Sequence, residues 1–170
     1  MARKLGMSPD TSYMLGVCNC NSSASSISLA TASNELVERF VRIAVSLGTR
    51  PSAIRIKKEE SVTEVTISNS KLKKMLDAAL EKRERIFRYR NEYSASYFAA
   101  LFDCNGGADG RGVFIRMKPY DSIIIERIGF HTTGSGKCYI RKGLDFVKFI
   151  APFSIRAKGI HFPADKRGRS

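Results

Sequence analysis

The sequence predicts an α+β protein made of two similar halves, each a small antiparallel sheet with helices on one face. Three observations carry that reading. The phrase YMLGVCNCNSS, starting at Tyr13, returns as YFAALFDCNGG at Tyr97, 84 residues later. Strand-length runs alternate apolar and basic residues, and capped amphipathic segments separate them. A repeat of this kind marks two copies of one structural unit.

The elements follow in order. Thr11 or Ser12 caps a short apolar helix over 13–20, and SSISLATA, 25–32, forms a strand. Asn34 caps the amphipathic helix ELVERFVRIAVSLG, which stops at Gly48. AIRIKKEE and VTEVTIS form a hairpin around a charged turn, and NSKLKKMLDAALEKRE closes the first half as a helix. The second half repeats this order in shorter form. Ser94 caps a helix over 95–104, the turn GGADGRG leads to the strand VFIRMK, and DSIIIERIGF is a helix. GKCYIRKG holds a strand, and LDFVKFIAPFS is a helix broken at Pro152. The halves span 1–92 and 93–162, with a basic tail over 163–170.

Composition narrows the function. The 170 residues are 43% hydrophobic, enough for a packed core, and no apolar run is long enough to span a membrane. MARKLGMSPDTS is not a signal peptide, so the expected location is intracellular and cytoplasmic, at the nucleoid when DNA is bound. With 29 Lys and Arg against 16 Asp and Glu, the net charge is +13. A globular chain this basic faces a polyanion, most often nucleic acid. Cys18, Cys20, Cys104 and Cys138 match neither a disulfide framework nor a zinc-ligand spacing, and read as small packing residues.

Side chains on a strand alternate between faces. Val113, Ile115 and Met117 therefore oppose Phe114, Arg116 and Lys118; Ile54 and Ile56 oppose Arg55 and Lys57; Cys138 and Ile140 oppose Lys137, Tyr139 and Arg141. Each sheet shows helices an apolar face and solvent a basic one. The candidate DNA contacts are Ser26, Ser28, Arg55, Lys57, Thr66, Ser68, Arg111, Arg116, Lys118, Lys137, Tyr139 and Arg141. In the repeated phrase, Gly16 and Ala100, with Cys20 and Cys104, let two helices approach closely at the centre of the molecule.

These residues resemble the LAGLIDADG homing endonucleases in their single-chain, two-motif form, closest to the small archaeal intron-encoded members. Against the nine-letter motif, Met14–Ser22 aligns as MLGVCNCNS and Phe98–Gly106 as FAALFDCNG. The resemblance covers nearly the whole chain. It implies paired αββαββα halves, with four-stranded sheets forming a saddle over a long double-stranded DNA site and a monomeric protein. It also implies cleavage of both strands across the minor groove, leaving 3′ overhangs, as in intron homing.

The eighth motif position in that family is Asp or Glu and holds a divalent cation, usually Mg²⁺. Here it is Asn21 in one copy and Asn105 in the other. An amide oxygen ligates Mg²⁺ without contributing charge, so metal affinity falls and cleavage is impaired. The resemblance places the metal on Asn21 and Asn105, with the backbone carbonyls of Cys20 and Cys104. Asp103 lies two residues before Asn105, roughly 200° around the helix, and Asp109 is a weak alternative ligand. Family enzymes carry Lys or Gln near the attacking water, which nominates Lys118; an ordinary phosphate-contacting lysine is the competing reading. In the first half, Thr31 and Ala32 lie near the matching position and neither is basic; His131 and His161 take no catalytic role. The same near-isosteric change in both copies is what either natural loss or deliberate disabling of cleavage would leave. A splicing partner that binds intron RNA through the same saddle is the alternative function.

Overall fold

The computed structural model describes residues 5–21, 23 and 25–161. Ser22, the last letter of the first motif, the opening residues 1–4 and the basic tail 163–170 lie outside the described residues.

Two helices, α1 (Pro9–Cys20) and α5 (Glu92–Asn105), pack against each other at the centre. Residues 11–19 of α1 and 94–103 of α5 are all buried. Neither helix has an apolar stripe, because a helix buried all round needs none. Their starts differ from the sequence expectation. Ser8 caps α1, since Pro9 fits the first helical turn and extends it past Thr11 and Ser12, which are buried inside the helix. Asn91 caps α5 in a reciprocal box with Ser94, so Ser94 is the third helical residue and not the cap. Ser33, not Asn34, likewise caps α2 (Asn34–Ser46).

The close approach of α1 and α5 is explicit at Gly16. A Cβ added there would sit 2.5 Å from Ala100 Cβ and 2.6 Å from the Tyr97 carbonyl oxygen. Gly16→Ala is therefore expected to lower stability by about 1–3 kcal/mol, read by urea denaturation. Adding Ala100→Gly should recover part of that loss, because the Tyr97 backbone contact remains.

The first half contains β1 (Ile27–Thr31), α2, β2 (Ile54–Lys58), β3 (Thr63–Ile67), α3 (Ser70–Glu81) and the short α4 (Arg83–Ile86). Its sheet has antiparallel order β1-β3-β2. The second half contains β4 (Gly106–Asp109), β5 (Gly112–Arg116), α6 (Pro119–Arg127), β6 (Thr132–Thr133), β7 (Lys137–Ile140) and α7 (Gly143–Ile150), with sheet order β4-β5-β7-β6. Omitting β4 and α4, the two halves share one order of elements, helix-strand-helix-strand-strand-helix, and one sheet order.

The expectation of two four-stranded sheets holds only for the second. Among the described residues the first sheet has three strands. The two linkers differ in chemistry. In NSSASS, the Ser26 amide donates to Ser23 Oγ at 3.3 Å, a local bond that competes with strand pairing. In GGADGR, by contrast, Gly106–Asp109 pairs with β5, so the predicted Gly-rich turn is mostly an edge strand. Gly107 opposes Phe114, and a Cβ there would approach the Phe114 ring to 3.1 Å, so the aromatic ring covers the bare backbone.

The alternation predicted for the second sheet holds at Val113, Ile115, Cys138 and Ile140, and the first sheet alternates likewise. Ile27, Leu29, Val65, Ile67, Val113, Ile115, Cys138 and Ile140 are buried. Ile56 departs from it at 57% exposure, on the edge strand β2, which pairs with β3 on one side only. In the second half the core includes Phe102, Phe130 and Phe146, packed edge to face. Helix α7 ends at Ile150, two residues before Pro152.

Candidate functional site

The repeated phrase ends at two neighbouring helix termini. Asn21 is the residue that caps the end of α1, and Asn105 is the last residue of α5. Both line one cleft of about 460 Å³, together with Thr31, Ser33, Cys104 and Arg156. A second opening of about 410 Å³ is lined by Asn19, Cys20, Asn105, Arg116 and Lys118. Asn105 thus borders both.

Beneath these clefts lies a paired polar network. Tyr13 donates to the Asp103 carboxylate across the helix pair at 2.6 Å. In the mirrored direction, Asn19 donates to the Tyr97 hydroxyl at 2.8 Å. Each motif tyrosine therefore meets the polar residue six positions on in the other motif. Tyr97 and Asn19 both donate to Asp121, each at 2.8 Å, and Arg83 pairs with the same carboxylate. Asn19 Oδ1 in turn accepts from Lys118 Nζ at 3.0 Å. Burial, then the nearby Asp103 and Asp121 carboxylates, hold the Tyr13 and Tyr97 phenols well above their ordinary range, so both stay proton donors.

Carboxylates near the metal position are committed elsewhere. Besides Tyr13, Asp103 accepts from Ser154 Oγ at 2.6 Å and from the Ile155 and Arg156 amides at 3.1 and 3.0 Å. Asp109 sits on the second sheet, paired with Lys137 at 2.8 Å and accepting from Tyr139 at 3.0 Å. Among the described residues no group of three or more His, Cys, Asp or Glu could hold a metal ion. The oxygens at the expected metal position are the neutral amides of Asn21 and Asn105 and the helix-end carbonyls of Cys20 and Cys104. That donor set does not fit a hard divalent cation, which needs anionic oxygens to repay its dehydration.

The outer faces of the sheets carry the remaining candidates. Ser28, Thr66 and Arg55 stand in register across the first sheet, with Lys57 opposite Glu64. On the second sheet Gly107, Phe114, Tyr139 and Thr133 form one row, and Arg116 lies opposite Lys137. Lys137 Nζ stands 4.0 Å over the Phe114 ring. Arg141 is exposed beyond β7, and Arg111 lies at the β4–β5 turn, where its amide donates to Asp109. Ser26 and Ser68 flank the strands of the first sheet. Lys118 donates to Asn19 of α1, and Arg116 and Lys137 line the same opening.

No family model and no curated protein matches the sequence. Solved structures do match. The crystal structure of I-DmoI in complex with DNA and Ca superimposes with a TM-score of 0.66 at 15% identity, covering 89% of this chain and 96% of that one. The I-DmoI complex with DNA and Mn gives 0.63 at 15%, covering 84% and 96%. The N-terminal LAGLIDADG domain of DUF199/WhiA gives 0.57 at 14%, covering 93% and 84%. The fold is the LAGLIDADG fold.

Within the LAGLIDADG fold, the motif helices are α1 and α5, and the clefts open at their C-terminal ends. Asn19, Tyr13, Tyr97 and Phe114 were not among the sequence candidates. The spacing Tyr-x₅-Asn in one copy and Tyr-x₅-Asp in the other carried the signal for the first three. Phe114 was legible from its parity with Arg116.

Asp109 gives a direct check of the second sheet. Hydrogen bonds from Lys137 and the Arg111 amide lower its carboxyl pKa to about 2, against an ordinary 3.8. A depressed carboxyl contributes its ion pair above the ordinary value and loses it as pH falls through about 2. NMR titration should show that low midpoint, and Lys137→Met should return it toward the ordinary value. Asp109→Asn should also release the Lys137 ammonium from its ion pair.

Proposed function

We propose that this chain is a sequence-specific double-stranded DNA-binding protein of the LAGLIDADG homing endonuclease type whose cleavage is impaired. The observation that carries the proposal is the pair Asn21 and Asn105, which line one cleft at the ends of the central helices, with no free carboxylate beside them. The sheets support the binding half of the proposal. Their outer faces offer Arg55 and Arg116 to phosphates, with Lys57 and Lys137 exchanging their Glu59 and Asp109 partners for phosphate, and Ser28, Thr66 and Tyr139 to base edges. The net charge of +13 supplies the long-range attraction. No described helix is long and apolar enough to cross a membrane.

In this reading the parent chemistry is metal-dependent phosphodiester hydrolysis of both strands. Carboxylates at 21 and 105 would hold Mg²⁺ or a similar cation with the Cys20 and Cys104 carbonyls, and the cation would activate water and stabilise the leaving oxygen. The present residues bind and orient DNA without that step. Asn19, anchored by Tyr97 and Asp121, fixes the Lys118 ammonium over the opening beside Asn105. There Lys118 contacts the phosphate nearest the scissile position of a cutting relative. The chain acts as a monomer, because both halves of the saddle are in one polypeptide.

Fluorescence anisotropy with duplex DNA and with structured intron RNA tests the binding half. Duplex binding should dominate and weaken with salt, and Arg116→Ala should reduce the log–log slope by about 0.9. A preference for RNA that survives high salt would contradict the proposal and favour the splicing alternative.

A further inference from the structure

The two clefts at the ends of α1 and α5 are charged unequally. Arg116, Lys118 and Lys137 line the one beside Asn19. In the cleft lined by Asn21, Arg156 is the only cation, and the first half contributes Thr31 and Ser33, neither of them basic. The ends of both helices border this cleft, and a helix C-terminus carries partial negative charge that repels a phosphate. The one acid in its lining, Asp103, is already satisfied. Asp103 Oδ1 accepts from Ser154 Oγ and the Arg156 amide, and Oδ2 accepts from Tyr13 and the Ile155 amide. Those bonds pin the backbone of Arg156, which follows α7 in the second half, at the mouth of the cleft. The Arg156 guanidinium donates through Nη1 to the Asp103 carbonyl at 3.3 Å, a carbonyl of the last turn of α5. Arg156 is exposed, and among the described residues no carboxylate forms an ion pair with it. The rest of its planar fork of N–H donors matches a phosphate.

We infer that Arg156 is the phosphate-binding residue of this cleft, holding a phosphodiester of one DNA strand while Lys118 holds one of the opposite strand. It rests on the duplex binding proposed above, and adds a contact that the strand faces do not supply. A duplex lying across two similar halves presents one strand to each cleft. The second half then furnishes the cation at both: Lys118 at the start of α6, and Arg156 reaching from beyond α7 to the cleft bordered by the first half. Loss of the guanidinium leaves two helix C-termini facing a phosphate with no cation between them, so Arg156 outweighs any single cation of the opening beside Asn19. A lysine at 156 would keep the charge but not the two-pronged geometry.

The test takes the full chain and a duplex selected by it from a random pool, and neutralises the phosphates one at a time as methylphosphonates. Fluorescence anisotropy gives the affinity of the present chain, Arg156→Met, Arg156→Lys and Lys118→Met for each duplex. Neutralising one particular phosphate should weaken binding by the present chain about 10-fold, and Arg156→Met should lose that sensitivity while keeping the others. Arg156→Lys should retain part of it. Lys118→Met should lose sensitivity at a different phosphate, on the opposite strand. A residue that merely closes the end of α5 would change Tm without singling out a phosphate. The inference is overturned if Arg156→Met keeps every sensitivity of the present chain, loses all of them equally, or shares its lost phosphate with Lys118→Met. A chain that selects no duplex at all would overturn the proposed duplex binding, and this contact with it.

Discussion

Asn21→Asp with Asn105→Asp is expected to raise cleavage of a cognate duplex in Mg²⁺ by on the order of 10³-fold or more, since a correctly held metal supplies several kcal/mol of transition-state stabilisation. The two positions line the same cleft, so two carboxylates there would repel each other until a cation joins them. A readout independent of cleavage follows. Without metal, the double variant should be slightly less stable than the present chain. Adding Ca²⁺ or Mn²⁺ should raise its Tm and leave the Tm of the present chain unchanged. Either single substitution should restore much less, because one carboxylate leaves the cation with mostly neutral donors. A double variant that neither gains Tm with metal nor cuts would remove Asn21 and Asn105 from the metal position.

Asp103→Ala is expected to cost about 3–5 kcal/mol of stability, the largest loss of any single substitution near the clefts. Its carboxylate satisfies Tyr13, Ser154 and the Ile155 and Arg156 amides, and the residue is 2% exposed. Removing it leaves the buried Tyr13 and Ser154 hydroxyls and the part-buried Ile155 and Arg156 amides without that acceptor. Asn105→Ala, two residues away and exposed at the helix end, should change stability by less than about 0.5 kcal/mol. Urea denaturation of both variants separates the two roles. A comparable loss at both positions would mean that the carboxylate is not the anchor described here.

This contrast also shows what the sequence made legible. The duplicated small-residue helix could be read because close helix approach restricts residue size at Gly16 and Ala100, a constraint local to the sequence. The strand faces could be read because parity alone sets them, and Ile56 departs on the edge strand β2. The edge strand Gly106–Asp109 could not be read. Glycine has poor strand propensity, and that segment is held by pairing with β5 and by the Phe114 ring, both supplied from elsewhere in the chain. The engagement of Asp103 was equally hidden, since Ser154 and Arg156 lie some fifty residues further on. The exchange of tyrosine hydrogen bonds between the motifs was visible as spacing but acquires meaning only once α1 and α5 are seen to cross.

Two sheets in one chain are expected to read a single long duplex and leave it intact. Selection of bound sequences from a random duplex pool in Mg²⁺, with the recovered strands sequenced end to end, tests it most directly. One preferred site of about 14–22 base pairs is expected, longer than a single DNA-reading module covers, recovered with both strands unbroken. Recovery of only short sites, of no preferred sequence, or of strands cut within the site would contradict it.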